Sequence, residues 1–164
     1  MEFRSATLKD LEKIAELFHA CWQISYADLL KEDVRSAMTI SNAMELWKPA
    51  LINPNGKDTV MALVDSGLVA VFRIGPDPVT KERGHLFSLY VDPTSAGKGF
   101  GRKSLTEAIA RLKALGYREI SLWVFAANDR ARALYESSGF EITGVTRVDE
   151  RWQEEEIEML KVLN

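Results

Sequence analysis

Leu86-Phe-Ser-Leu-Tyr-Val-Asp-Pro-Thr-Ser-Ala-Gly-Lys-Gly-Phe-Gly-Arg-Lys-Ser-Leu105 decides how this chain is read. An apolar and aromatic run stops at Asp92-Pro93, and glycines follow at positions 97, 99 and 101. Leu105, Ala108, Ile109 and Leu112 then recur at helical spacing as far as Gly116. The pattern predicts a strand, a glycine loop and a helix in immediate succession. Closely spaced glycines let the backbone curl so that successive N–H groups face one hollow. The helix behind adds unsatisfied N–H groups and the positive end of its dipole. Such a cradle suits a phosphate or pyrophosphate, and Lys98, Arg102 and Lys103 supply charge around it. The competing reading is a tight turn whose glycines serve geometry alone. A P-loop and a dinucleotide fingerprint both fail at the same place, because Arg102 stands where each needs a small residue.

Working outward, strands are expected at Glu2 to Ala6, Thr59 to Val64, Leu68 to Ile74, His85 to Val91, Ile120 to Phe125, Phe140 to Val145 and Ile157 to Leu163. Asp65-Ser66-Gly67 joins the second and third as a hairpin. Thr7, with Asp10 three residues later, reads as a capping box. The helix behind it carries Leu8, Leu11, Ile14, Leu17, Phe18, Cys21 and Trp22 on one face. A second helix is expected over Asp33 to Leu51, and a short one over Asn128 to Ser137, closed by Gly139. The second half alternates strand and helix, which requires a sheet with helices packed on it, parallel in part. The expectation is one mixed α/β domain spanning 1–164.

Composition narrows the function classes. The chain has 164 residues, 46% of them apolar, enough for a core without disulfides or metals. A formal net charge of −3 lacks the basic footprint of a nucleic-acid binder. Cys21 is the one cysteine, so neither an intramolecular disulfide nor a cysteine-pair zinc site can form. Its place on an apolar helix face makes it a structural thiol. The first residues do not read as a signal peptide, and no apolar stretch approaches the roughly 20 residues that span a bilayer. A cytoplasmic protein without nucleic-acid or membrane partners is expected.

One strand beyond the glycine loop comes Asn128-Asp-Arg-Ala131-Arg-Ala-Leu134-Tyr135-Glu-Ser-Ser-Gly139-Phe140. Taken with Val91, Pro93, Gly99, Gly101 and Leu105, it resembles the GNAT superfamily of N-acetyltransferases, whose two signatures occur in this order and at this spacing. The resemblance covers essentially the whole chain, the first half through element order and the second through motif. It departs at Ala96, where the family signature carries Arg or Gln. One polar contact to a pyrophosphate is thereby lost, at about 1–2 kcal/mol.

The resemblance implies a GNAT-like fold. Its central sheet has six to seven mostly antiparallel strands, with a splayed parallel pair, flanked by about four helices. It implies an acetyl-coenzyme A-dependent transferase that acetylates a primary amine, of a small molecule or a peptide, by direct attack in a ternary complex. A homodimer is the oligomeric form it suggests. The implied cofactor-binding positions on the strand are Leu89, Tyr90 and Val91. On the loop they are Gly97, Lys98, Gly99, Phe100, Gly101 and Arg102, and beyond it Asn128 and Tyr135. Tyr135 would also be the acid for the departing thiolate, since a phenol near pKa 10 keeps its proton at neutral pH. His85 stands where relatives often carry a proton-relaying glutamate, and imidazole is tuned for that work. Asp149, Glu150 and the run Glu154-Glu155-Glu156 are alternative bases. Trp22 and Tyr26 could wall the acceptor pocket or simply pack in the core, and His19 is expected to be structural. No metal site is expected. A non-catalytic module that binds acyl-coenzyme A is the alternative from another class, and a nucleotide-binding protein is a third.

Overall fold

The computed structural model describes residues 1–150 and 152–163. Seven strands form one sheet: β1 (Glu2–Ser5), β2 (Asp58–Val64), β3 (Gly67–Pro76), β4 (Gly84–Val91), β5 (Glu119–Phe125), β6 (Glu141–Asp149) and β7 (Glu154–Val162). Their order across the sheet is β1-β2-β3-β4-β5-β7-β6. Every neighbouring pair is antiparallel except β4 and β5, which run parallel. The helices are α1 (Leu11–Ala20), α2 (Glu32–Ala37), α3 (Ile40–Ile52), α4 (Phe100–Ala114) and α5 (Asp129–Glu136).

The strand period of two sends alternate side chains to opposite faces. Met61 and Val71 therefore join one core with Leu11, Ile14, Phe18, Trp22 and Trp47 from α1, the turn after it and α3. Their neighbours Val60 and Phe72 join another with Leu105, Ala108 and Leu112 from α4 and Tyr135 from α5. The sheet is thus sandwiched, with α1 and α3 on one face and α4 and α5 on the other. A large apolar area is removed from water on both faces, at roughly 25 cal/mol per Å².

Local chemistry sets the element ends. Asp10 accepts from the Thr7 backbone at 2.8 Å and from both Arg4 guanidinium nitrogens, at 2.6 and 2.9 Å. The capping box is present as the sequence suggests. Asp65 and Ser66 both take positive φ, 49° and 66°, which matches the twist of the β2–β3 hairpin.

Three expectations need correction. Asp33 to Leu51 is not one helix but two, because Met38 takes an extended conformation and Thr39 caps α3 through its side chain. The described residues thus hold five α-helices. The first helix passes at Cys21 into a single π-helical turn, Cys21–Ser25. Finally, β6 and β7 both extend further into the acidic connection than their apolar residues suggest. Arg147 opposite Glu156 supplies an ion pair, at 2.7 Å, where a hydrophobic pair would have signalled a strand.

Candidate functional site

The parallel pairing of β4 with β5 covers only Gly84 to Leu86, opposite Ile120 to Leu122. Beyond that, β5 stays with β7 as far as Phe125, while β4 runs on to Val91 beside β3. The divergence has a local cause. Leu86 pairs with Ile74 and Ser88 with Arg73, so Phe87 is an extra, bulged residue. A bulge bends and twists the strand that carries it. Past the bulge, the Asp92 N–H donates to Val69 O at 2.9 Å, which fixes which peptides face β3. By alternation, the peptide groups of Leu89 and Val91 turn to the edge that β5 has left. The Cys21 thiol reaches Val91 O on that edge, at 3.2 Å.

A cavity of about 620 Å³ runs through this gap and is lined by residues from both faces of the sheet. On the α4 face it meets the glycine loop. Gly97 and Gly99 have φ of +79° and +78°, with open space where a Cβ would lie. Their requirement is therefore backbone conformation, which only glycine adopts at little cost. Gly99 is the N-cap of α4 and offers no side chain, so the first N–H groups of the helix remain open to a ligand. Gly101, Ala96 and Phe100 also line the cavity. Arg102 lines it and donates to Ser137 Oγ at 3.1 Å. Lys98 lies outside the lining. Asn128 caps α5 by accepting from Ala131 N at 3.1 Å, and lines the cavity as well. Two turns on, Tyr135 is buried against Phe140, and burial pushes its phenol up to about 12. Arg130, which carries no signal in the motif, adds a cation to this wall.

The α1 face contributes a different kind of wall. Trp123 and Phe125 of β5 and His85 of β4 line it, with the fully buried Ser121 beside His85 and behind the lining. Trp22 from the π-helical turn and Tyr26 just past it line the same wall, together with Trp152. Trp22 meets Trp152 at 4.4 Å and Tyr26 meets Phe125 at 5.7 Å, both edge to face. Trp22 and Tyr26 thus serve as core and cavity wall at once. The Arg147 guanidinium stacks over Trp123 at 4.2 Å and pairs with the nearly buried Glu156. Cys21 is buried, and desolvation raises its thiol to about 12, which makes it an inert packing residue.

His85 is buried, with Nδ1 2.7 Å from Ser121 Oγ, and burial brings its imidazole down to about 4. Of the alternative bases, only Glu156 lines the cavity; Asp149, Glu150, Glu154 and Glu155 do not. Tyr90 turns its ring to Phe18, at 4.9 Å, while its peptide faces β3. His19 is half-buried on α1. The sequence carries no signal for Trp123, Arg147 or Trp152, which reach the cavity only through the pairing of β5, β6 and β7. Among the described residues, no group of His, Cys, Asp and Glu side chains is placed to hold a metal ion. None of the described helices is long and apolar enough to cross a membrane.

Residues 11–140 match the acetyltransferase (GNAT) family. A mycothiol acetyltransferase of Propionibacterium freudenreichii subsp. shermanii is 30% identical over 121 residues, 73% of this chain but 38% of that protein. The chain thus spans well under half the length of that relative. A spermidine N(1)-acetyltransferase of Thermoplasma acidophilum is 23% identical over 146 residues, covering 87% of this chain and 89% of that one. The crystal structure of the PaiA N-acetyltransferase of the same organism, in complex with coenzyme A, superposes with a TM-score of 0.78. Its identity is 21%, with 98% of both chains covered, a likeness of fold.

Proposed function

The chain belongs to the acetyltransferase (GNAT) family, and from that membership we propose that it binds acetyl-coenzyme A and acetylates a primary amine. The observation that carries this reading is the unpaired edge of β4, continuous with the glycine cradle at one end and an aromatic-walled chamber at the other. The cradle fits a pyrophosphate: two left-handed glycines and a helix N-terminus without a side-chain cap leave backbone donors for it. The Leu89 and Val91 peptides fit the amide-bearing arm that follows, in the manner of an added strand. Bound there, the cofactor supplies an activated acetyl thioester.

The chain's own residues supply the rest. An aliphatic amine with a pKa near 10.4 is protonated at neutral pH and must lose a proton before it attacks. His85 is neutral at that pH and lines the chamber, so it serves as the base, directly or through water. Tyr135 keeps its proton and gives it to the departing thiolate. A donor on the vacant edge, the Val91 N–H, polarises the thioester carbonyl. The aromatic wall favours a small amine with apolar or cationic character, whereas Glu156 is already paired with Arg147. Relatives are named for mycothiol, for spermidine and for a ribosomal-protein alanine, so they do not choose between a small-molecule and a peptide acceptor. The setting we propose is the cytoplasm.

The test is thiol release from acetyl-coenzyme A by the purified protein, over a panel of polyamines, amino sugars and peptide N-termini. Mass spectrometry should find a product 42 Da heavier with at least one small amine. Acetyl-coenzyme A binding without product from any amine would replace this reading with a non-catalytic acyl-coenzyme A module.

A further inference from the structure

Three polar side chains lie buried together beneath the chamber, and the glycine and tyrosine motifs account for none of their arrangement. His85 is 5% exposed, Ser121 0% and Asp77 6%. His85 and Ser121 are register partners on the parallel pair, so their side chains leave the same face side by side. Asp77 reaches them from the loop after β3. Its Oδ1 is pinned by the N–H groups of Val79, at 2.8 Å, and Thr80, at 2.9 Å. Its Oδ2 takes a short hydrogen bond from Ser121 Oγ and lies 3.6 Å from His85 Nδ1.

Proton counting assigns the ring. Ser121 has one hydroxyl proton. The Asp77 carboxylate and, at 3.3 Å, the Gly84 carbonyl both compete for it. The carboxylate is closer and charged, so it takes the proton. Ser121 Oγ then has only lone pairs left for His85 Nδ1, 2.7 Å away. Two lone pairs in that contact would repel, so Nδ1 must carry the hydrogen. The neutral ring has a single N–H, so Nε2 is left as a bare acceptor. The ring lines the chamber, and with Nδ1 turned to Ser121 we infer that Nε2 is the nitrogen left to it.

We propose that Asp77 and Ser121 are positioning residues that fix His85 as the Nδ1–H tautomer and so present Nε2 as the base toward the acceptor amine. The tautomer stands on geometry alone, whereas the catalytic consequence rests on the acetyltransfer reading. The proton path balances: as the amine nitrogen bonds to the thioester carbon its proton becomes acidic, Nε2 takes that proton directly or through a water, and the resulting imidazolium keeps its Nδ1–H on Ser121. Asp77 stays ionised throughout. Burial alone would raise its carboxyl, but the hydrogen bonds from Ser121, Thr80 and Val79 outweigh that and hold it below the ordinary range. His85 stays neutral because burial lowers it more than Asp77 raises it; Arg147 of β6 and Lys57 ahead of β2 lower it further. The Phe87 ring, 4.6 Å away, and the Lys57 ammonium over that ring complete its charged and aromatic surroundings.

Two readouts test this. In ¹⁵N-histidine-labelled wild type at pH 7, free of cofactor, long-range proton–nitrogen spectra should show one ring protonated at Nδ1 and bare at Nε2. That ring is identified by its loss in His85→Gln. Asp77→Asn keeps the Oδ1 contacts to Val79 and Thr80 but offers Ser121 an N–H donor. The serine proton then turns to Nδ1, and the ring becomes the Nε2–H tautomer. Turnover should fall about a hundredfold, with acetyl-coenzyme A affinity and melting temperature near wild type. A wild-type ring protonated at Nε2 overturns the proposal. So does an Asp77→Asn variant that keeps wild-type turnover. The wild-type spectrum decides the tautomer even where Asp77→Asn fails to fold or no acceptor has been found.

Discussion

The two ends of the cavity are built from different materials. At the α4 end the working groups are peptides: left-handed Gly97 and Gly99, the open start of α4 and the turned-out edge of β4 at Leu89 and Val91. At the α1 end they are side chains drawn from six separate places. His85 comes from β4, Trp123 from β5, Arg147 from β6 and Glu156 from β7. Trp22 comes from the π-helical turn, and Trp152 from the β6–β7 connection. A backbone site can hold the part of a ligand common to many reactions, since peptide donors do not change when side chains do. A side-chain site can be altered one residue at a time and so is where acceptor choice and proton transfer belong. The difference predicts that substitutions in the backbone cradle act on binding, and those of proton-handling side chains on turnover.

The largest expected effect lies in the side-chain end and needs no substrate. His85 has a folded pKa of about 4, below the ordinary value near 6.5, so between those pH values the unfolded chain binds more protons than the folded one. Stability must therefore fall as pH drops through that window, by on the order of 3 kcal/mol for this group. Urea denaturation at pH 4.5 and 7 should reveal the slope, and His85→Gln should flatten it. Carboxylates held low, such as Asp77, lose their contribution only at still lower pH. A slope that survives His85→Gln would mean that His85 is not the buried neutral ring described.

Tyr135→Phe comes next. The ring is kept and its packing against Phe140 with it, so cofactor affinity should hold while turnover drops by roughly tenfold to a hundredfold. A matching loss of affinity would mean that the phenol, which lies on the α4 side beside the cradle, holds the cofactor instead of giving up a proton. Gly99→Val should do the reverse. A β-branched residue at φ +78° costs about 1–2 kcal/mol of stability. Calorimetry should show at least tenfold weaker binding of acetyl-coenzyme A, because the helix start it caps is displaced. Residual turnover at saturating cofactor should remain close to wild type.

The same contrast explains what could be read before any coordinates. All seven strands, the capping box at Thr7 and Asp10, and the glycine cradle were legible because local physics restricts which residues do those jobs. Positive φ selects Gly97 and Gly99; a helix start selects Asn128. Even the place of His85 was legible, at the head of the strand. Its partners were not. Asp77 sits in a loop that reads only as a chain break at Pro76 and Pro78, and Ser121 is one polar residue in an apolar strand. Their meeting depends on the parallel register of β4 and β5, which no local pattern encodes. The bulge at Phe87 was hidden for the same reason, since it exists only relative to β3. The helix break at Met38 did carry one local signal, the Thr39 cap, which the apolar residues on either side of it outweighed.

The central claim is that the cleft between β4 and β5, with its glycine cradle, holds acetyl-coenzyme A. Calorimetric titration of the purified protein with acetyl-coenzyme A tests it directly, with ATP and NAD titrated alongside. The prediction is saturable binding at one site per chain, specific to the coenzyme A derivative and weakened in Gly99→Val. Absence of binding at millimolar acetyl-coenzyme A, or equal binding of ATP, would contradict it and leave the loop as a turn whose glycines serve only its shape.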